Sequence, residues 1–213
     1  MKYKNYIFDF DGTLVDSMPT YAAVMLRILD ENGIEYQDDI IKIITPLGFK
    51  GTAEYFIGLG IKGTVSELID RMNEYAFFEY ANNIPAKDNV TETLRELKSR
   101  GARLNVLTAS PHLTLDPCLK RLGIYEIFEN VWSCDDFNTT KADPEIYKAA
   151  AERLGVPVSE VLFLDDNYNA DKTAASAGMR VCGVYDASSE EYTEEIKSVS
   201  DYYIKNMSEL LLL

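Results

Sequence analysis

The sequence predicts an α/β protein: a doubly wound parallel sheet that carries an inserted helical domain. Three observations lead to this fold class. Short apolar runs each end abruptly in a polar residue, helical patterns that stop at glycine alternate with these runs, and one long segment breaks the alternation. Continuous apolar runs are typical of strands that are buried on both faces. Strand and helix repeated in this order favour a parallel sheet with helices on both sides.

The strongest strand predictions are three short runs that each stop at a carboxylate or a threonine. Weaker candidates are Val131–Trp132 and Arg180–Tyr185. Because the carboxyl ends of parallel strands meet at one edge of a sheet, where ligands of open α/β folds bind, we expect the polar residues to converge. The three runs are Tyr6–Phe8 before Asp9, Leu104–Leu107 before Thr108, and Val161–Leu164 before Asp165 and Asp166.

Four helical patterns alternate with these strands, and a glycine follows each of them directly. Glycine commonly ends helices because it adopts the left-handed conformation at no steric cost. In the first pattern, Val90, Leu94 and Leu97 form one apolar face, as an amphipathic helix requires. The predicted core helices are Asp88–Arg100, Leu113–Leu122, Pro144–Leu154 and Ala170–Ala177.

The segment from about residue 16 to 84 interrupts this rhythm and predicts an all-helical insertion. Tyr21–Leu29 and Val65–Ala76 both carry apolar residues at helical spacing. A capping box, Thr64-x-x-Glu67, opens the second helix. Between the two helices, Leu47–Gly63 is rich in glycine and shows no strand pattern, and Lys50 is expected in a glycine-rich loop there. The domains are therefore a core of residues 1–15 and 85–213, and a helical cap of residues 16–84.

Composition excludes several classes of partner. The chain has 213 residues, with 21 Lys and Arg against 35 Asp and Glu, which gives a net charge of −14. Such an acidic protein repels phosphate backbones and anionic lipid, so we expect no nucleic-acid and no membrane partner. No stretch reaches the roughly 18 apolar residues of a membrane-spanning helix, and no signal-peptide pattern opens the chain. We expect a cytoplasmic protein that is a monomer, with a dimer as the alternative.

The C-terminal part adds three further expectations. Asp186–Asp201 carries six carboxylates and is predicted to be solvated surface. Leu210–Leu213 is too short to span a membrane and is predicted to complete the core packing. Cys118, Cys134 and Cys182 match neither a disulfide framework nor a zinc pattern, so we expect buried thiols in a reducing cytosol.

The string FDFDGTLVDS places two carboxylates, Asp9 and Asp11, directly after a predicted buried strand. Gly12 lets the backbone turn tightly there, and Thr13 can satisfy freed backbone groups. Two carboxylates held so close do not both ionise comfortably without a cation or a proton between them. The pair therefore indicates a hard divalent cation, or a nucleophile beside a general acid/base.

FDFDGTLVDS resembles the first motif of the haloacid dehalogenase (HAD) superfamily. Three further motifs follow in that family's order: Thr108 in VLTAS, Lys141 in KADPEIY, and the acidic string FLDDNYNADKTAASAGMR. The helical insertion lies where a type C1 cap would lie. The cap position and the KADPEIY string are similar to phosphoglycolate phosphatase-like and β-phosphoglucomutase-like members. The resemblance implies a Rossmann-like core that uses Mg²⁺ in phosphoryl transfer.

The resemblance also implies a role for each motif residue. Asp9 would attack phosphorus and form an aspartyl-phosphate, which suits a carboxylate nucleophile. Asp11 would protonate the leaving oxygen and later deprotonate the hydrolytic water. The presence of Asp11 favours phosphoryl transfer over carbon–halogen chemistry. Thr108, the backbone N–H of Ala109, and Lys141 would bind the phosphoryl oxygens of the substrate.

A magnesium site is expected where the early and late acids meet. The ligands would be the Asp9 carboxylate, the Asp11 backbone carbonyl and one acid of the late pair. Counting back from Gly178 places Asp166 on the family's usual ligand and Asp165 where glycine is frequent. Both acids of the pair are therefore candidate ligands.

Three other residues, Asp171, Lys50 and His112, have less definite roles. The family's second acid, four positions after Asp166, falls on Ala170, which is a departure from the pattern. Asp171 is the longer-spaced alternative and would assist through Lys141 or water. In the cap, Lys50 between two glycines is predicted to contact substrate. His112 is either a substrate contact or a polar residue at a helix start.

The function that these residues predict is a Mg²⁺-dependent phosphatase for a small phosphomonoester of the phosphoglycolate or sugar phosphate type. A β-phosphoglucomutase-like phosphomutase is the close alternative, because nothing in the sequence separates the two. A phosphonate-cleaving hydrolase would need a Schiff-base lysine in the cap, such as Lys42, Lys50 or Lys62. A non-enzymatic phospho-accepting module is a further alternative, although in such modules the acid pair precedes the acceptor.

Overall fold

The structure is a computed structural model that describes residues 2–37 and 39–213. The described residues form one sheet of six parallel strands, in the order β3-β2-β1-β4-β5-β6. Strand β1 is central, and Phe8 at its end pairs with Val106 on one side and Leu164 on the other. The strands are β1 Asn5–Phe8, β2 Arg103–Thr108, β3 Asn130–Ser133, β4 Val161–Asp165, β5 Arg180–Val184 and β6 Tyr202–Ile204.

Helices lie on both sides of the sheet, so the predicted fold class is confirmed. The four core helices predicted from the sequence are all present, and every end is shifted by two residues or fewer. The helices are α1 Met18–Glu31, α2 Ile40–Ile44, α3 Gly48–Gly58, α4 Val65–Asn82, α5 Val90–Ser99, α6 His112–Arg121, α7 Pro144–Leu154, α8 Tyr168–Ala177 and α9 Thr193–Val199.

The centre of the sheet is packed on both faces. All four residues of β1 are buried, which explains why its apolar run shows no alternation. On one face, Ile7 and Phe163 pack with Tyr147 of α7, whose ring meets that of Phe163 edge-on at 5.1 Å. Tyr6 and Phe8 stack with their ring centroids 6.0 Å apart. Because each buried ring contributes about 1.5–3 kcal/mol, the end of β1 is held firmly in place.

The chain divides into two compact units. The core unit contains the residues up to Asp16 together with Pro85–Leu213, and the helical unit is Ser17–Ile84. Within its described residues, the helical unit consists of helices α1 to α4 and the 3-10 helix Thr45–Leu47, with no strand. The fold therefore combines a parallel-sheet core with a purely helical insertion.

Helix α4 begins with the capping box that its sequence predicts. The Glu67 N–H donates to Oγ1 of Thr64 at 3.2 Å, and the Thr64 N–H donates to Oε2 of Glu67 at 2.7 Å. These bonds satisfy donors that a helix start leaves free. The buried face of α4 includes Leu68, Met72 and Ala76, which belong to the predicted apolar stripe.

Helix α3 corrects the expectation that Lys50 lies in a glycine-rich loop. The helix buries Thr52 and Phe56, both of which are fully inaccessible to solvent. Glycine costs a helix about 1 kcal/mol relative to alanine, whereas burying a phenylalanine contributes about 1.5–3 kcal/mol. Tertiary packing therefore outweighs local propensity here. Lys50 lies on this helix, with an exposed side chain, rather than in a loop.

The acidic segment Asp186–Asp201 is more structured than its composition predicts. It contains the 3-10 helix Ala187–Tyr192 and helix α9, which buries Ile196, and strand β6 follows. The expectation of solvated surface is wrong for Asp186, which is 5% exposed. A helix with one buried isoleucine and a strand of three residues leave too weak a hydrophobic pattern to be recognised in the sequence. The expected core packing is confirmed for Leu210, which is 2% exposed, and is wrong for Leu212, which is 86% exposed.

The structure bears on two of the expectations above, those about membrane-spanning helices and about the cysteines. None of the helices within residues 2–37 and 39–213 has both the length and the hydropathy that crossing a membrane requires. Cys118, Cys134 and Cys182 are all buried and form no disulfide, as the sequence predicts.

Candidate active site

Asp9 follows β1 and opens the turn that carries both early carboxylates. Its N–H donates to the Leu164 carbonyl at 2.8 Å, so strand β4 fixes where the turn begins. Gly12 has φ +74°, and its N–H donates to the Val15 carbonyl at 3.0 Å. A Cβ on Gly12 would lie 2.5 Å from Oδ2 of Asp166. Glycine is therefore required both by the backbone conformation and by the close approach of a carboxylate.

Three carboxylates meet at the carboxyl edge of the sheet. Asp9, Asp165 and Asp166 are 6%, 1% and 7% exposed, and one oxygen from each lies within 4.8 Å of the others. The Thr13 hydroxyl donates to Oδ1 of Asp166 at 3.1 Å. The Asn167 N–H donates to Oδ1 of Asp165 at 2.8 Å. The end of β1 and the end of β4 thus bring together acids that are 156 residues apart in the chain (165 − 9).

Lys141 supplies a positive charge to this cluster. Its Nζ donates to Oδ1 of Asp9 in a short contact and to Oδ2 of Asp165 at 2.7 Å. The Lys141 side chain is 13% exposed. Its backbone carbonyl lies 3.1 Å from the Tyr147 hydroxyl, which also reaches the Ala170 carbonyl at 3.1 Å. Helix α7 therefore holds the loop from which Lys141 extends.

Burial and charge shift the pKa values of the cluster. Burial raises the pKa of Asp9 to about 7, against the opposing effect of Lys141, and Asp165 adds to the increase. Burial together with the two neighbouring acids raises the pKa of Asp166 well above its ordinary value. Burial by itself lowers the pKa of Lys141, but Asp165 and Asp9 outweigh it and raise that pKa, so Lys141 stays charged. The cluster is short of positive charge.

The loop after β2 faces the same turn. Thr108 is 1% exposed, and its Oγ1 accepts the Ser110 N–H at 3.1 Å. Ser110 donates its hydroxyl to Oδ2 of Asp11 in a short hydrogen bond. Ala109 lies between them in an exposed bend, as a backbone donor to a bound anion must. The structure thus joins the predicted acid/base residue to the predicted phosphate-binding loop.

The sequence predicted neither the contact of the Ser110 hydroxyl nor any role for Tyr147. Ser110 is the last residue of the VLTAS string, but Asp11, to which its hydroxyl donates, is 99 positions away. In the sequence, Tyr147 looks like one more apolar residue of a helix. Its link to the site is the hydrogen bond from its hydroxyl to the Lys141 carbonyl. Neither contact leaves a local signal in the sequence.

Three other predicted residues make no described hydrogen bond with Asp9, Asp165, Asp166 or Lys141. Lys50 is in the helical unit. His112 begins α6, and its two ring nitrogens lie 2.9 Å from carboxylate oxygens of Asp116 and Asp136. Asp171 is fully buried in α8, and burial together with Asp165 and Asp166 raises the pKa of its carboxyl well above the ordinary value.

The donor set of the cluster fits a hard divalent cation. Oxygen ligands from carboxylates are what Mg²⁺ prefers, and three of them lie close together with only partial charge compensation. Asp165 already uses one oxygen for Lys141 and the other for the Asn167 N–H. Asp9 and Asp166 are therefore better placed to bind an ion, with Asp165 orienting Lys141.

Comparison with known proteins agrees with this chemistry. A family model described as a hydrolase, haloacid dehalogenase-like hydrolase, matches residues 3–178. Pyrophosphatase PpaX of Bacillus velezensis is 30% identical over 208 residues, which cover 96% of this chain and 93% of that protein. A phosphorylated carbohydrates phosphatase of Thermotoga maritima is 29% identical, over 84% of this chain and 83% of that protein.

A solved structure shows the same architecture across nearly the whole chain. A crystal structure from Thermotoga maritima, provisionally described as a beta-phosphoglucomutase, superposes with a TM-score of 0.84. The two sequences are 25% identical, and the match covers 98% of this chain and 97% of the other. The likeness in fold therefore extends over both units.

Proposed function

Because the chain belongs to the haloacid dehalogenase-like hydrolases and is a phosphatase of that family, we propose that it is Mg²⁺-dependent and works through an aspartyl-phosphate on Asp9. The observation that carries this proposal is the position of Asp9. Its carboxylate is buried at the end of the central strand, is contacted by Lys141, and is followed two residues later by Asp11. A nucleophile beside an acid/base group is what a two-step displacement needs.

In the first step, an Asp9 oxygen attacks the phosphorus atom of the substrate, and the bond from phosphorus to the leaving oxygen breaks. Asp11 gives its proton to that oxygen, so the alcohol leaves neutral. The Ser110 hydroxyl, bonded to Asp11, orients the carboxyl group for this transfer. Lys141 and the N–H groups near Thr108 would stabilise the charge on the phosphoryl oxygens.

In the second step, Asp11 takes a proton from a water molecule, which attacks the same phosphorus. The bond between phosphorus and the Asp9 oxygen breaks, and inorganic phosphate is released with Asp9 restored. Asp11 ends protonated, ready for another leaving group. The alternation requires a carboxyl group that reaches both the substrate and water, and Asp11 is half-buried at the turn rather than enclosed with Asp9.

Asp9, the Asp11 carbonyl and Asp166 would hold the Mg²⁺ ion, with Asp165 as a further candidate ligand. When bound, the ion supplies the positive charge that the three buried acids lack and that a phosphoryl group needs. The residues fit this role because the carboxylate oxygens already converge. Thr13 keeps Asp166 in orientation through its hydrogen bond.

The substrate class that we propose is a small phosphomonoester, of the phosphoglycolate or sugar phosphate type. A phosphatase relative named for phosphorylated carbohydrates supports this class. A phosphomutase is a second candidate, favoured by the whole-length likeness to the structure described as a beta-phosphoglucomutase. The name of the pyrophosphatase relative adds inorganic pyrophosphate to the compounds worth testing.

The experiment is a phosphate-release assay with a generic aryl phosphate, with and without Mg²⁺, on the wild type and on Asp9→Asn. We expect activity that needs Mg²⁺ and falls at least about 1,000-fold in the variant, because the nucleophile is removed. Activity that survives the substitution, or that persists after chelation, would refute the mechanism. A panel of sugar phosphates, phosphoglycolate and pyrophosphate, scored for release and for isomerisation, then separates hydrolase from mutase.

A further inference from the structure

Lys87 connects three segments of the core unit through one ammonium group. It lies two residues after Pro85, where the chain returns from the helical unit. The Lys87 side chain is 20% exposed. Its Nζ donates to the Gly12 carbonyl at 2.5 Å, to the Tyr185 carbonyl at 2.7 Å and to Oδ2 of Asp186 at 2.9 Å. All three N–H groups of the ammonium therefore have a protein acceptor.

Backbone contacts reinforce this arrangement. The Lys87 N–H donates to the Leu14 carbonyl at 3.0 Å. Val15 and Ala86 form an isolated antiparallel bridge. The segment that carries Lys87 is thus paired with the residues that directly follow the Asp9–Thr13 turn.

The Gly12 carbonyl is a sensitive point of that turn. Gly12 separates Asp11 from Thr13, whose hydroxyl holds Asp166. Glycine has wide conformational freedom, and its backbone here has φ +74°. Rotation of the peptide unit after Gly12 would move Thr13 directly and would change the direction of Asp11. An external partner on the carbonyl restricts that rotation.

We propose that Lys87 is a positioning residue for phosphoryl transfer. Its ammonium group fixes the Gly12 peptide and thereby sets the orientation of Asp11 and Thr13. Lys87 touches no acid of the Asp9, Asp165 and Asp166 cluster among the described contacts, so it acts through the backbone. The role rests on the proposed function, since Asp11 must be aimed only if it transfers protons.

The structure offers a matched control. A cavity of about 410 Å³ lies beside Lys87, and Lys205 lines the same cavity. Lys205 carries the same charge, is exposed, and has its Nζ 6.0 Å from the centre of the Tyr185 ring. None of the hydrogen bonds described for Lys205 reaches the Asp9–Thr13 turn. Removing its charge changes the electrostatics of the cavity without touching Gly12.

The test measures kcat and KM for an aryl phosphate with Mg²⁺ in Lys87→Met, Lys87→Arg and Lys205→Met. We expect Lys87→Met to lower kcat about 10- to 100-fold, the size of effect that a small misplacement of reacting groups produces. KM should stay within about threefold, because no substrate contact is lost. Lys205→Met should match the wild type.

Lys87→Arg covers the case in which Lys87→Met does not fold. Arginine keeps a positive charge opposite Asp186, but its planar guanidinium does not reproduce three converging N–H groups. We expect a folded protein whose kcat is lowered at least about fivefold at unchanged KM. A wild-type kcat in folded Lys87→Arg would overturn the proposal and leave Lys87 a purely structural role.

Hydrogen exchange of the peptide that covers residues 9–15 gives a readout independent of turnover. We expect faster exchange in both Lys87 variants and wild-type exchange in Lys205→Met. If the wild type hydrolyses no phosphate ester, the proposed function fails. Hydrogen exchange alone then tests whether Lys87 restrains the Asp9–Thr13 turn. Unchanged exchange in the Lys87 variants overturns the restraint of the turn, whereas faster exchange supports it.

Discussion

Lys141 and Lys87 are two largely buried ammonium groups near the same edge of the sheet, but they differ in charge balance. Lys141 faces Asp9 and Asp165 and has Asp166 close by. Lys87 faces one carboxylate, Asp186, and two backbone carbonyls. The first site has an excess of negative charge, and the second is neutral.

The pKa values of the acids follow that difference. Burial raises the pKa of Asp9 to about 7 even with Lys141 in contact. Burial also acts on Asp186, but there hydrogen bonds from Ser188 and Lys87 outweigh it and hold the pKa below its ordinary value. A balanced pair is complete within the protein, whereas the Asp9 cluster needs a further cation or a proton to balance its charge. Charge balance therefore separates a structural ion pair from a candidate metal site.

The largest expected effect comes from removing the ammonium of the unbalanced site. Lys141→Met should lower kcat about 100- to 1,000-fold, because a charged donor next to the transferred phosphoryl group is lost. The loss should exceed that of Lys87→Met, which acts only through the backbone. Steady-state kinetics with an aryl phosphate measures both. Lys148→Met is the control, since that exposed lysine pairs with Glu145 on the surface of α7. Equal losses in Lys141→Met and Lys148→Met would contradict the comparison.

Gly12 adjoins both sites, because its carbonyl accepts from Lys87 and a Cβ on it would meet Asp166. A substitution at Gly12 therefore tests both sites. Gly12→Ala should destabilise the protein by at least about 3 kcal/mol, because a strained φ and a clash with Asp166 act together. Gly101→Ala is the matched control, since Gly101 has φ +86° and no atom within 4 Å of a Cβ. That variant should lose only about 1 kcal/mol. Urea denaturation gives both values, and similar losses would show that the contact with Asp166 is unimportant.

Neutralising one acid at each site should change stability in opposite directions. Without divalent cations at pH 8, Asp166→Asn should raise the free energy of unfolding by about 1 kcal/mol, because repulsion with Asp9 and Asp165 is relieved. Asp186→Asn should lower it by about 1–2 kcal/mol, because Lys87 loses its charged partner. Urea denaturation in chelator measures the difference. A change of the same sign in both variants would contradict the difference in charge balance between the two sites.

His112 also faces more than one carboxylate, but at a more exposed site than Lys141 or Lys87. Solvent there weakens the effect of an unequal number of charges. Hydrogen bonds to Asp116 and Asp136 raise its pKa above the ordinary 6.5. A neutral imidazole has one N–H and can donate to only one of the two carboxylates. The stability that it contributes is therefore fully present below about pH 6.5 and is lost as pH rises through the higher folded value.

The chain has one histidine, so a single imidazole signal reports this titration. We expect its NMR midpoint to lie above 6.5 in the wild type and to fall in Asp136→Asn, which removes one acceptor. A wild-type midpoint at or below 6.5 would contradict the role of the two carboxylates.

Much of the fold was predictable because its signals are local. A strand buried on both faces is a continuous apolar run, so β1, β2 and β4 are recognisable from a few residues each. A capping box is likewise complete within four residues, as Thr64 and Glu67 show. The carboxyl ends of parallel strands then bring Asp9 and Asp165 together as a consequence of topology.

What could not be predicted depends on contacts between distant segments. Lys87 is 75 residues from Gly12 and 99 from Asp186, and nothing near it in sequence marks either partner. Composition predicted that Asp186 is at the surface, whereas it is buried and paired with the half-buried Lys87. Helix α3 was missed for a related reason, since Phe56 stabilises it only through packing against other parts of its unit. Local propensity describes none of these effects.

Binding of Mg²⁺ tests the charge-balance account most directly. Thermal unfolding is followed across a Mg²⁺ titration in the wild type, Asp166→Asn and Asp186→Asn. We expect Tm to rise with Mg²⁺ in the wild type and in Asp186→Asn, with stabilisation of about 2.7 kcal/mol at 100 times Kd. In Asp166→Asn the rise should be lost. A wild-type Tm that does not respond to Mg²⁺, or an equal rise in Asp166→Asn, would contradict the assignment of the Asp9, Asp165 and Asp166 cluster as a metal site.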